Sequence, residues 1–125
     1  MLSLVESTWD ELTAPLDADD LALFTLYRTF CRGLPDVEEQ VHTSQVQYRR
    51  TRIFTSGYVK SHYLEIGLEL MREASHPRLR TAFPTSKTVI MHRITLRDPE
   101  QFDDDLRALI EEARTTVGPG LRRGR

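Results

Sequence analysis

Residues 63–70 read Tyr63-Leu64-Glu65-Ile66-Gly67-Leu68-Glu69-Leu70, and this stretch decides the fold class. Leucine or isoleucine occupies every second position, and polar residues, a tyrosine or a glycine occupy the positions between. A period of two residues is typical of a β-strand with one buried face and one wet face. Half-buried strands of this kind are common in antiparallel sheets, whereas parallel strands are apolar on both faces. The stretch therefore predicts a strand of an antiparallel sheet.

Further strands are predicted on both sides of this stretch. Val41 to Tyr48 and Arg52 to Val59 precede it, and Thr88 to Leu96 follows it. The short connections before residue 63 favour antiparallel pairing, because parallel strands need long crossovers. The connector from Met71 to Lys87 is predicted to contain one short helical turn.

Two main helices are predicted at either end of these strands. Asp20 to Arg32 carries its apolar side chains on one helical face. Pro99 to Val117 begins with a capping aspartate, Asp98, and with proline at the first helical position. A shorter helix is predicted from Leu2 to Leu12, where Thr8 has capping-box spacing.

These elements predict an α+β fold: a four-stranded antiparallel sheet with the two main helices packed on one face, in the order α-β-β-β-(short helical turn)-β-α. With 125 residues, one domain is expected. We assign residues 1–18 to an N-terminal extension, 19–118 to the α+β domain and 119–125 to a flexible basic tail.

A single cysteine, Cys31, excludes a disulfide within the chain and fits a reducing compartment. Neither a secretory signal nor an apolar run long enough to cross a bilayer is visible in the sequence. We therefore expect a cytoplasmic protein with no membrane association. Cys31 lies on the apolar face of its helix, which predicts inert packing rather than a nucleophile.

The charges are strongly segregated along the chain. Residues 1–41 carry two basic and nine acidic side chains, whereas residues 42–97 carry ten basic and three acidic ones. One interpretation is a basic sheet surface that meets an anionic partner. The other is that acidic helices lie beside a basic sheet and neutralise it, and this second interpretation is favoured.

Aromatic and cationic side chains on the wet side of the sheet are the candidate binding residues. Such a combination suits anionic small molecules, an acidic protein or single-stranded nucleic acid. The alternative is ordinary cross-strand pairing with Glu65 and Glu69. The candidate residues are Tyr48, Arg50, Arg52, Tyr58, Lys60, Tyr63 and Arg93.

His92 is the one weak candidate for catalysis, because it interrupts the apolar face of the strand that ends at Leu96. It could act as an acid or base, but a hydrogen-bonded core histidine is the favoured interpretation. The four histidines have no partner at metal-ligand spacing, so neither a metal site nor a cofactor is predicted.

The chain resembles the bacterial family known as domain of unknown function 5655 from Val41 to Val117. The matching blocks are Val41-His42-Thr43-Ser44-Gln45, Arg52-Ile53-Phe54, Tyr58-Val59-Lys60, Leu64-Glu65-Ile66-Gly67-Leu68, His76-Pro77-Arg78-Leu79-Arg80, His92-Arg93-Ile94-Thr95-Leu96 and Asp98-Pro99-Glu100. The family often has lysine where this chain has Gln45, so a role that rests on that lysine does not transfer. The resemblance implies a fold and the habit of an accessory module, and it implies no reaction.

The predicted function is a small non-catalytic module that binds a ligand or partner through the basic, aromatic-bearing sheet face. The partner would be an unknown protein or an anionic ligand, and the module would be a monomer or a homodimer. Two alternatives stay open: a nucleic-acid-binding module, and a small enzyme with His92 as its acid or base.

Overall fold

The structure is a computed structural model that describes residues 5–120. Its strands form one antiparallel sheet in the order β1-β2-β3-β4-β6-β5. The strands are β1 Glu38–Val41, β2 Val46–Arg49, β3 Ile53–Lys60, β4 Tyr63–Leu70, β5 Leu79–Pro84 and β6 Ile90–Leu96. The helices are α1 Trp9–Thr13, α2 Ala18–Arg32 and α3 Asp104–Thr116, and a 3₁₀ turn spans Pro99–Gln101.

The α+β class and the antiparallel sheet are confirmed, but the sheet has six strands and the prediction of four is wrong. The predicted strand from Val41 to Tyr48 is interrupted by a turn, closed where the His42 amide donates to the Gln45 carbonyl at 2.8 Å. Its two halves belong to β1 and β2. The predicted connector contains β5, and the expected helical turn before it is a single hydrogen-bonded turn, in which the Leu79 amide donates to the His76 carbonyl at 3.0 Å.

The core lies between the helices and one face of the sheet. The side chains of Leu64, Ile66, Leu68 and Leu70 on β4 all point into it and are at most 1% exposed. On β3, Gly57 brings the backbone close to the Tyr27 ring of α2, since a Cβ at residue 57 would lie 2.8 Å from Tyr27 Cε2. The helix and the sheet therefore meet closely at this glycine.

Aspartates begin both main helices. Asp17 caps α2, and its carboxylate accepts the Asp20 amide at 2.9 Å. The final helix differs from its prediction: Asp98 starts only a 3₁₀ turn, and Asp103 caps α3. The break falls at Phe102, whose buried ring packs edge-on against the rings of Tyr27 and Phe30.

The segment before α1 pairs with the sheet. Val5 accepts the Thr43 amide at 2.8 Å, and the Ser7 amide donates to Val41 at 3.0 Å. Thr8 and Glu11 form the predicted capping box of α1, which begins at Trp9. Residues 2–4 of the predicted first helix and residues 121–125 of the predicted tail lie outside the described residues.

Candidate ligand site on the open face of the sheet

The sheet has one covered face and one open face. All three helices contribute side chains to the core on the covered face. The alternation of β4 sends Tyr63, Glu65, Gly67 and Glu69 to the opposite face, where they are half-buried. No helix among residues 5–120 packs over this second surface, which we call the open face.

A row of paired residues crosses the open face, and Gly67 lies in the middle of it. Ser56 is its Cα partner on β3, and Arg93 is its partner on β6. Because glycine has no side chain, the row has a gap between the serine and the arginine. A cavity of about 80 Å³ occupies this gap. Its lining residues are Gln45, Ser56, Tyr58, Glu65, Ile66, Gly67, Met91 and Arg93.

Hydrogen-bond donors dominate the polar lining. Gln45 is only 7% exposed. Within the described part of the chain, the side chains of Gln45, Ser56 and Tyr58 form no hydrogen bond, and Arg93 forms no ion pair. The Arg93 guanidinium carbon lies 5.5 Å from the centre of the Phe83 ring. Four side chains that can donate hydrogen bonds therefore surround a space that no protein group fills.

Glu65 is the carboxylate of the cavity wall, and its charge is already compensated. The Thr95 hydroxyl donates to both carboxylate oxygens at 3.1 Å. Arg80 donates to one of them at 3.2 Å. The free polar groups of the cavity are therefore one amide, two hydroxyls and one guanidinium, all of which can donate a hydrogen bond.

Four of the seven predicted binding residues lie on the open face without a carboxylate partner among the described residues. Tyr58 and Arg93 line the cavity. Lys60 and Tyr63 pair with each other at the end of the β3–β4 hairpin. The Arg97 guanidinium carbon lies 5.2 Å from the centre of the Tyr63 ring, so the tyrosine has a cation at its face.

The other three predicted residues lie elsewhere or are occupied. Tyr48 is fully buried on the covered face. Arg50 donates to the Arg114 carbonyl at 3.3 Å, at the end of α3. Arg52 reaches the open face but pairs with Glu69 at 3.0 Å. The structure therefore does not bring Tyr48 and Arg50 into one patch with the other predicted residues, and Glu69 already occupies Arg52.

Tyr48 is on the covered face by the regular alternation of β2, because Val46 and Tyr48 are both buried and Gln47 between them is half-buried, and the neighbouring strand β3 contains a β-bulge. Tyr48 pairs with Thr55 and Arg49 pairs with Ile53, so Phe54 is an extra residue in β3. Both Phe54 and its neighbour Thr55 are buried, which breaks the alternation of β3 at this point.

Gln45, Ser56 and Gly67 are cavity residues that the prediction missed. Gly67 carried a readable signal, because an isolated glycine inside a strand often marks a place where a ligand or backbone approaches closely. Gln45 carried none, since its position depends on the turn between β1 and β2.

His92 is 1% exposed on the covered face, so a substrate in solution does not reach the acid or base that the enzyme alternative names. Its Nε2 accepts the Ala74 amide at 2.9 Å. Its Nδ1 lies 3.1 Å from the Ile90 carbonyl. The ring must accept at Nε2, so its proton resides on Nδ1 and is donated to Ile90. The favoured interpretation of a hydrogen-bonded core histidine fits these contacts.

A half-buried polar cluster lies below β1. Arg28 donates to both carboxylate oxygens of Glu39 at 2.9 and 3.0 Å, and the Tyr48 hydroxyl donates at 2.8 Å. Burial alone would raise the pKa of Glu39, but hydrogen bonds from Arg28 and Tyr48 outweigh it and hold the pKa below that of an ordinary glutamate. Burial also raises the pKa of the Cys31 thiol far above its usual range, so this cysteine is inert.

Asp17, Asp20 and His62 offer ligand atoms within 4.8 Å of one another, a set that could hold a metal. These side chains already have structural roles. His62 Nδ1 lies 2.8 Å from the Asp20 carboxylate, and Asp17 caps α2. His62 and Ser61 adopt φ of 67° and 54° in the β3–β4 turn. The cluster fastens this hairpin to the start of α2.

Comparison with known proteins identifies the family of the chain but no activity. Residues 10–114 match the family model described as a domain of unknown function (DUF5655). The match confirms the resemblance and begins earlier in the chain than the resemblance did. No curated protein and no solved structure matches. None of the helices in residues 5–120 combines the length and the apolar character that crossing a membrane requires.

Proposed function

Since the chain belongs to the DUF5655 family, whose function is unknown, we propose from its own residues that it is a non-catalytic binding module. The binding surface is the open face, centred on the cavity at Gly67. Tyr58, Lys60, Tyr63 and Arg93 supply its aromatic and cationic side chains.

The observation that carries the proposal is the unfilled gap at Gly67. A half-buried strand normally fills its face with side chains, and here glycine stands between Ser56 and Arg93. Gln45, a residue that is only 7% exposed, adds a side-chain amide with no hydrogen-bond partner within the described residues. Because none of the described residues has a buried side-chain nitrogen or oxygen without a partner, this amide still meets solvent, and a bound ligand would take the place of that water.

Catalysis is the weaker candidate because the titratable groups near the cavity are few. Glu65 is engaged by Thr95 and Arg80. His92 is on the opposite face of the sheet. A general acid or base must reach the substrate within hydrogen-bonding distance, and neither group is free to do so.

Nucleic-acid binding is also less well supported. It requires a run of stacking aromatics and free cations. The open face offers Tyr58 and Tyr63, but Tyr48 is buried and Arg52 is paired with Glu69. Glu65 and Glu69 would also face the phosphates. A reducing compartment such as the cytoplasm remains part of the proposal, because Cys31 is a free thiol.

The test fills the cavity. A Cβ at residue 67 would lie 3.4 Å from Met91 Sδ and 3.4 Å from Ser56 Oγ, so a small side chain fits without backbone change. Gly67→Val would project a branched side chain into the gap. Gln40→Val is the matched control, because Gln40 lies at the far end of the same row on β1.

Two measurements are made on the protein purified gently from its native host. Native mass spectrometry reports any retained small molecule, and thermal shift against a metabolite panel reports new ones. We expect a ligand that the wild type and Gln40→Val bind and that Gly67→Val does not. The proposal is overturned if Gly67→Val binds equally well, or if the wild type binds nothing in either measurement.

A further inference from the structure

We propose that the cavity at Gly67 receives the carboxylate of a small organic acid, an inference that rests on the binding function proposed above. The chemistry of the lining selects the charge of the ligand. Gln45, Ser56, Tyr58 and Arg93 can all donate hydrogen bonds, and none uses that capacity on a described protein acceptor. A ligand that supplies acceptors satisfies all four.

Arg93 determines that the acceptor is an anion. It forms no ion pair within residues 5–120, although Glu65 and Glu69 lie on the same face. Those two carboxylates are taken by Arg80 and Arg52. The guanidinium therefore stands beside the cavity without a carboxylate in ion-pair contact, and an anion bound in the cavity would supply that contact.

Size and charge together favour a carboxylate over a phosphate group. A cavity of about 80 Å³ has the volume of roughly two to three water molecules, which suits one small planar group. Two donors of a guanidinium match the two oxygens of a carboxylate in a parallel fork. A phosphate dianion would need a second free cation, and Glu65 in the wall opposes the additional charge.

The surroundings of the cavity describe the rest of the ligand. Met91 contributes apolar lining on one side, and the Tyr58 side chain contributes on another. Phe83, which is 37% exposed, lies against Arg93. An acid with a flat apolar body can place its carboxylate in the cavity and its body across these side chains.

The experiment is a titration followed by ¹⁵N–¹H NMR, with benzoate as the probe and benzamide as its uncharged counterpart. We expect saturable shifts at the amides of Gly67, Ser56 and Arg93, with a Kd for benzoate on the order of 1 mM, as a fragment of this size allows. Benzamide should bind about tenfold more weakly or worse, because it loses a charge-assisted hydrogen bond.

Arg93→Gln should weaken benzoate binding by about 10- to 100-fold. Arg97→Gln is the matched control, since Arg97 directly follows β6 but lies over Tyr63 and outside the cavity lining. It should bind benzoate as the wild type does. The spectra of both variants also report that the fold is retained.

Any one of three results overturns the proposal that the ligand is a carboxylate. These are no saturable shift with benzoate, benzamide binding as tightly as benzoate, or Arg93→Gln binding benzoate as tightly as the wild type. Inorganic phosphate is titrated in parallel. If phosphate shifts Gly67 and benzoate does not, the ligand class is wrong while the binding function stands. If no anion binds and Gly67→Val leaves the metabolite screen unchanged, both proposals fall.

Discussion

Arg93 and Gly67 are direct Cα partners across β4 and β6, so a long cationic side chain stands next to the position in the row that has none. The pairing depends on the register between β4 and β6, which are separated in sequence by β5 and its two connections. This pairing leaves the cavity at Gly67 bordered by the Arg93 guanidinium, which forms no ion pair among the described residues. The location, rather than the number, of the basic residues is therefore what distinguishes this surface.

Gly57→Ala should destabilise the protein by about 1–3 kcal/mol, the usual cost of overpacking a well-filled site. The added Cβ would lie 2.8 Å from the Tyr27 ring, which is itself fully buried. Gly67→Ala is the control, because its Cβ meets only ordinary contacts at 3.4 Å. Urea unfolding measures both, and equal stabilities of the two variants would contradict the packing described here.

Glu39→Gln should cost about 1.5–3 kcal/mol at neutral pH, because it weakens hydrogen bonds that Arg28 and Tyr48 make to a charged group. The pKa of Glu39 is lower in the folded protein than in the unfolded chain, so its contribution is complete above the unfolded pKa and is lost as the pH falls through the lowered pKa. The stability difference between wild type and variant should thus shrink as the solution is acidified below the usual pKa of a glutamate.

The control for that series is Glu38→Gln, at the neighbouring exposed position. It should change the free energy of unfolding by less than about 0.5 kcal/mol. Denaturant unfolding from pH 7 to pH 3 gives the whole comparison. A wild-type advantage that grows on acidification would show that Glu39 is not the stabilising anion.

His92 and His76 should have opposite tautomers. The Arg78 amide donates to His76 Nδ1 at 3.0 Å, so the ring proton lies on Nε2, which contacts Asp103 at 3.0 Å. His92 accepts at Nε2 and holds its proton on Nδ1. Two-bond ¹⁵N–¹H correlation of the imidazoles at pH 8 distinguishes these states. Finding the same tautomer at both residues would contradict the hydrogen bonds.

Cys31 should resist thiol reagents in the folded protein. It is fully buried, and burial raises the pKa of its thiol, so almost no thiolate is available. A chromogenic disulfide reagent at pH 8 should label it only as fast as the protein opens, and stoichiometrically in denaturant. Rapid labelling of the native state would show that α2 leaves the sheet more readily than its packing indicates.

The fold class was readable from sequence where one face is buried and the other is wet. Tyr63–Leu70 alternates without interruption, and it is the strand that the sequence predicted with its bounds correct. β5 was missed because a bulge at residue 80 separates the Leu79–Ile94 and Thr81–Arg93 pairs, so its half-buried positions are three apart. β1 was missed because two glutamates begin it.

The site was predictable only in part, for a related reason. Tyr58 and Arg93 lie in uninterrupted portions of their strands, and the alternation sends both to the open face. Tyr48 adjoins the bulge at Phe54, and its hydroxyl bonds with Glu39 on the covered side. Register across turns and bulges depends on packing that a local pattern does not contain.

The Thr55 hydroxyl connects the two sides of the sheet. It donates to the Gly67 carbonyl at 2.7 Å and lies 3.0 Å from the Tyr27 hydroxyl, which must be the donor in that second bond. Two hydrogen bonds thus connect the Gly67 backbone beneath the cavity to the Tyr27 phenol on α2. A molecule that moves the Gly67 peptide would also disturb the hydrogen bond that the Tyr27 hydroxyl donates. Binding on the open face would therefore change the environment of a side chain in the core.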